Sequence, residues 1–188
     1  MASMIGLLAV MAIPVTTSVA QGIKGDREEK AKAKLPPYFT LFSECKTSPL
    51  HSHKQLVLRD NNCYLNTTSS PTAGHPFGGY IRLFINSETP ALVTSTSFDP
   101  PALGWLYVDK ETRRVKYGNR AEAGEGLFGP WTYDAFGLNM EDWYGFVAVE
   151  EDGEWAMYAE VKGQEGKIEG VNVRLVQEPI EELIPTKK

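Results

Sequence analysis

The chain has 188 residues, with 19 Lys or Arg against 24 Asp or Glu and a formal net charge of −5. That length suits one domain with a real hydrophobic core once the ends are set aside. From Leu35 onward the balance falls to 14 basic and 21 acidic residues, a net of −7. Phosphate backbones reward the opposite sign, which excludes nucleic acid as a partner class.

Met1 to Ala20 carries no charged side chain, and its apolar centre, Met4 to Val15, is broken only by Gly6 and Pro14. That run is too short to span a bilayer comfortably. Ser18-Val19-Ala20 has the small-x-small form of a processing site before Gln21, so residues 1–20 read as a signal peptide and the protein as secreted. A core strand or a membrane anchor is the competing reading. No later apolar run is long enough to span a membrane, and no membrane contact is expected after cleavage. Residues 21–37 mix both charge signs, lack apolar periodicity and end in Leu35-Pro36-Pro37, the composition of a disordered leader.

Residues 38–178 then read as one β domain, with residues 179–188 as a tail. YFTLF (38–42), KQLVL (54–58), YIRLF (80–84), ALVTST (91–96), WLYVD (105–109), RVKY (114–117) and VNVRLV (171–176) are strand-like runs bounded by turn residues. Arg59-Asp60-Asn61-Asn62 and Lys110-Glu111-Thr112-Arg113 are turns, and Ala121 to Gly129 reads as a loop. The stretch from Leu127 to Glu160 holds Trp131, Trp143 and Trp155. It ends in the clearest hairpin of the chain, two alternating runs joined by Glu151-Asp152-Gly153. These aromatics supply the centre of the expected core. About nine short strands with frequent turns and no long helix predict an all-β domain, a single antiparallel β-sandwich or small β-barrel.

Cys45 and Cys63 are the only cysteines. An even count in a secreted chain predicts one disulfide between them, closing a loop and adding about 3 kcal/mol; two buried thiols are the alternative. Asn66-Thr67-Thr68 matches the glycosylation acceptor pattern and precedes Ser69-Ser70-Pro71, a surface-loop composition, so Asn66 is the expected glycan site.

Within the aromatic stretch, Trp131 to Gly137 (WTYDAFG) leads into Gly145-Phe146-Val147-Ala148 and then Gly153-Glu154-Trp155-Ala156-Met157-Tyr158-Ala159. Together with the strand Phe39 to Phe42, and with Trp105 to Asp109 followed by Val115-Lys116-Tyr117, this order resembles fungal secreted cell-wall proteins. That group includes the phialide-development wall protein and related IgE-binding proteins. The likeness is clearest over residues 105–175. It implies an extracellular, wall-associated protein without catalytic residues.

Chemistry-bearing residues are sparse. His51, His53 and His75 could offer three imidazoles to zinc or copper, but His51 and His53 lie in what reads as an ordinary polar loop, so no metal site is assigned. Glu150, Glu151, Asp152 and Glu154 could supply the two carboxylates of a glycoside hydrolase, but a solvated hairpin tip is acidic for simpler reasons. No serine-elbow, zinc-helix or phosphate-loop motif is present, and no catalytic residue or cofactor is expected. The better lead is Trp143-Tyr144, which follows Glu141-Asp142 in a loop and could face a sugar ring; the alternative is that Trp143 plugs one end of a barrel. The sequence therefore predicts a non-enzymatic secreted wall or surface protein. The alternatives are an effector binding carbohydrate or a host surface protein, and, less favoured, a glycoside hydrolase.

Overall fold

The computed structural model describes residues 38–67, 73–164 and 166–180. The expected signal peptide, the leader, residues 181–188 of the tail and Thr68 of the glycosylation motif lie outside them. The strands are β1 (Phe39–Glu44), β2 (Leu56–Arg59), β3 (Asn62–Leu65), β4 (His75–Pro76), β5 (Gly79–Leu83), β6 (Pro90–Phe98) and β7 (Pro101–Val108). Then come β8 (Val115–Gly118), β9 (Trp131–Asp134), β10 (Gly137–Met140), β11 (Phe146–Glu151), β12 (Glu154–Ala159) and β13 (Val171–Pro179). One 3-10 turn (Pro49–His51) and one short helix, α1 (Arg120–Glu125), interrupt them.

Nine of these strands form a closed antiparallel ring in the order β12, β11, β13, β1, β5, β6, β7, β8, β3. Pairing of β3 with β12, through Trp155↔Leu65 and Ala156↔Tyr64, closes it. β2 and β4 extend outward from β3, and β9–β10 is a separate hairpin. The architecture is therefore a barrel and not a sandwich. A sandwich keeps two separate sheets, whereas here β12, at one end of the sheet, pairs with β3 and closes a ring, leaving β2 and β4 as a branch from it.

Alternation along each strand fills the interior. Leu56 and Leu58 of β2, Cys63 and Leu65 of β3, Leu106 and Val108 of β7, Phe146 and Ala148 of β11, and Met157 and Ala159 of β12 belong to one buried cluster around Trp131. Their neighbours point the other way, as the two-residue period of a strand requires. Val57, Tyr64 and Ala156 make a small cluster with Tyr158 against it. Trp105 and Tyr107 pack with Phe84 and with Ala123 of α1. That helix replaces the first half of the segment read as a loop, Ala121 to Gly129, and begins one residue before it. Its capping box was visible in principle: the Asn119 side chain accepts from the Ala121 and Glu122 amides, and Glu122 accepts from the Asn119 amide.

The turns behave as their residues dictate. Asp60 and Asn61, between β2 and β3, have φ of 49° and 61°, and Asp152 and Gly153, between β11 and β12, have 51° and 82°. Positive φ at both central positions is the tight-hairpin geometry that Asn, Asp and Gly tolerate best.

The predicted Cys45–Cys63 bridge is not formed; both cysteines are free and buried. The Cys45 amide meets the Ser52 hydroxyl at 3.5 Å, and its Sγ lies 3.4 Å from the Thr47 hydroxyl. Cys63 instead sits opposite Leu58, near the far end of β2. Most of β2 and the segment before it separate the two positions, and a disulfide needs Cα atoms within about 7 Å. Complete burial also raises the Cys63 thiol well above the usual range, suppressing its reactive thiolate. A thiol-titrating reagent is therefore expected to label Cys63 very slowly in the native protein and to label both cysteines once it is unfolded without reductant. Absence of free thiols after unfolding would restore the bridge.

Candidate functional site

The β9–β10 hairpin lies against β13. Asp134 holds its turn through a 2.8 Å hydrogen bond from the Phe136 amide to its carboxylate. Gly137 follows with φ of 125°, and a Cβ there would sit 2.5 Å from the Leu175 carbonyl oxygen of β13. Only glycine accepts that backbone conformation and that close approach together. The turn tip therefore carries Phe136 at the surface, 64% exposed.

From β10 the chain reverses at Glu141 and Asp142, whose φ values are 53° and 61°. Met140 pairs with Trp143 across this turn through amide–carbonyl bonds of 3.1 and 2.9 Å. Trp143 is 42% exposed, so it does not plug the barrel; that place in the core belongs to Trp131, stacked at 6.2 Å on Phe146. The Trp143 indole lies over Gly145, where a Cβ would come within 2.3 Å of its Nε1. Tyr144 donates a short hydrogen bond to the Asp134 carboxylate and meets Phe136 edge-on at 6.3 Å. That bond lowers the Asp134 pKa and raises that of Tyr144, because it favours carboxylate and phenol over their alternatives.

Tyr144 also walls a groove of about 480 Å³ whose other sides come from the end of β1 (Glu44) with Lys46 and Thr47 beyond it, the start of β11 (Phe146) and β13 (Asn172 to Arg174). Glu44 and Arg174 face each other in the β1–β13 register and are hydrogen-bonded through Oε2 and Nη2. Lys46 is exposed and pairs with no carboxylate among the described residues. The structure thus brings Trp143 and Tyr144 together at the surface, and adds Phe136, Glu44, Lys46 and Arg174, which the sequence reading did not single out.

Other candidate residues have structural surroundings. Glu154 holds Arg59 in a bidentate pair, one bond of which is 2.8 Å, and Glu151 holds Arg114 at 2.8 Å and accepts from the Tyr158 hydroxyl. Two of the four acidic residues of the hairpin, Glu151 and Glu154, are therefore tied to arginines. His51 is buried, with Nδ1 at 2.7 Å from the Ser48 hydroxyl and its ring edge-on to Trp155 at 4.0 Å; desolvation lowers its pKa. His53 is exposed and stacks on Phe42 at 4.8 Å, while His75 lies on β4. Among the described residues no group of three potential ligands converges on one point. Asn66 is exposed and its amide bonds the Gln55 carbonyl at 2.9 Å. A second hollow of about 470 Å³, beside Tyr107, Arg114, Lys116 and Tyr158, has its cations matched: Lys116 meets Asp109 at 2.9 Å and Arg114 meets Glu151.

Residues 15–180 match the family model described as the fungal β-trefoil domain. The chain belongs to that family. No curated protein and no solved structure matches it. The match bears out the expected fungal family; it does not identify the wall and IgE-binding group.

The Asp134–Tyr144 bond gives a direct test of this site's geometry. Asp134→Asn is expected to lower the Tyr144 phenol pKa toward that of an ordinary tyrosine, read by NMR titration of the ring. Because the folded-state pKa of Asp134 is depressed, the bond's contribution is present above the unfolded-state value and is lost as pH falls through the folded one.

Proposed function

We propose that this fungal β-trefoil is a secreted, non-enzymatic protein of the cell wall or cell surface that binds carbohydrate through the Phe136–Tyr144–Trp143 face and the adjoining groove. The observation that carries the reading is the pairing of exposed aromatic rings with an edge of hydrogen-bonding groups. Sugars present apolar C–H faces and hydroxyl rims, and such a surface offers a counterpart to each. β-Trefoil domains often bind carbohydrates, which supports this reading. A hydrolytic reading gains nothing from the acidic hairpin, whose Glu151 and Glu154 are held by arginines. A host surface protein as ligand is the second reading, since an aromatic patch serves protein partners as well.

Co-sedimentation with insoluble chitin, β-glucan and whole wall preparations tests the proposal. Retention on at least one polymer is expected, with Tyr144→Ala and Trp143→Ala each weakening it about tenfold, equivalent to about 1.4 kcal/mol. Incubation should release no soluble sugar. Retention that both variants keep would move the site elsewhere, and no retention on any polymer would favour a protein partner.

Secretion is tested separately. Protein recovered from the medium of a fungal host should begin at Gln21 and lose mass on enzymatic deglycosylation unless Asn66 is replaced. An intact Met1 in secreted protein would refute cleavage at Ala20.

A further inference from the structure

We infer that the buried His51 ring is a proton-operated latch for the Lys46–Thr47 wall of the groove beside Tyr144, so that acid opens the groove. The inference rests on the carbohydrate reading above and adds the regulation of that site.

Lys46 and Thr47 wall the groove from the segment that joins β1 to β2. Ser43, fully buried, fixes the far end of that segment: its hydroxyl donates to the His51 carbonyl at 2.6 Å, and its carbonyl accepts from the His53 amide at 2.6 Å. Residues 46–50, between these anchors, are exposed or half-exposed. The side-chain tie that crosses this stretch joins the Ser48 hydroxyl to His51 Nδ1 at 2.7 Å. The His51 ring is itself wedged edge-on against Trp155 at 4.0 Å, the residue of β12 that faces Leu65 where the barrel closes. Ser48 thus hangs from a buried ring, and Thr47 and Lys46 precede Ser48 in the chain.

That setting suits only the neutral imidazole. Nδ1 has Ser48, whereas Nε2 is buried with no hydrogen-bond partner among the described residues. Protonation puts an N–H on both nitrogens and a full charge where Nε2 meets no acceptor. Desolvation is the largest influence and holds the His51 pKa below the ordinary value; Glu150 pulls it up and Lys54 pulls it down. Glu150 is exposed on β11 opposite Trp155, and Lys54 stands just before β2. The latch is therefore fully engaged above the unfolded-state pKa of the ring, and its hold is lost as pH falls from that value through the lower folded one. The other described histidines lie apart, His53 stacked on Phe42 at 3.7 Å from Glu178 and His75 on β4.

The test has two arms. NMR titration of the full protein between about pH 7.5 and 5 should show the Lys46 and Thr47 amides shifting with the midpoint of the His51 ring. Retention on whichever of chitin, β-glucan or wall preparation binds at the upper pH should weaken about tenfold over that range, as expected of a groove walled about a tenth of the time. His51→Phe keeps a ring against Trp155 without a titrating proton and should abolish both responses, while His53→Gln should keep both. If His51→Phe does not fold, the ring and amide midpoints of the native protein still decide. Amides that ignore the His51 midpoint, or a loss of retention in acid that His51→Phe keeps, overturn the inference and leave the carbohydrate reading standing. Amides that follow His51 while no polymer binds at either pH support the latch and remove the carbohydrate reading.

Discussion

Closure of the ring between β3 and β12 is the constraint on which the rest of the barrel depends. Only two residue pairs make that junction, Trp155↔Leu65 and Ala156↔Tyr64. Inside it, Leu65, Met157 and Trp155 join the main core. Outside it, cations and rings alternate. The Arg59 guanidinium lies 4.9 Å from the centre of the Tyr64 ring, and that of Arg114 lies 5.4 Å from Tyr64 and 5.8 Å from Tyr158. Glu154 and Glu151 fasten the two arginines from the β12 side of the junction and from β11. Each cation–π contact is worth about 0.5–1 kcal/mol at a partly exposed site, so the ladder supports a short junction that two backbone pairs alone would hold weakly. Without it β3 and β12 would each expose an unpaired edge.

The candidate site inherits its shape from this closure. β13 lies between β11 and β1 in the ring, so the groove receives Phe146 from one neighbour and Glu44 from the other. The β9–β10 hairpin stands outside the ring, yet Gly137 brings it close enough to β13 for Asp134 to reach Tyr144. A framework of ring strands thus fixes polar groups, while a hairpin laid against it supplies aromatics. Rigid placement of this kind reduces the ordering cost of binding.

Much of the local structure was legible in the sequence because its causes are local. Asp152-Gly153 and Asp60-Asn61 specify their hairpins, and the alternation around Met157 or Leu106 marks the inward face. The closure was not legible, since nothing in residues 64–65 names residues 155–156 as partners. The disulfide expectation failed for the same reason. Cysteine count speaks about a compartment, but the register of β2 decides where Cys63 lies. Trp143 and Tyr144 could be nominated from their acidic, loop-like flanks, although exposure depended on Gly145 making room for the indole. Glu44, Lys46 and Arg174 gave no signal, because a cation 130 residues from its carboxylate becomes its neighbour only when β1 and β13 pair.

The free state of Cys45 and Cys63 reaches beyond their own surroundings. With no covalent crosslink, this barrel is held by packing, backbone pairing, side-chain hydrogen bonds and ion pairs, the arginine ladder among them. Those forces do not depend on redox potential. The same fold is therefore available in the reducing interior of a cell and in the oxidising space outside it. A chain so built needs neither an oxidant nor a disulfide isomerase to mature, and passage from one compartment to the other leaves its scaffold unaltered.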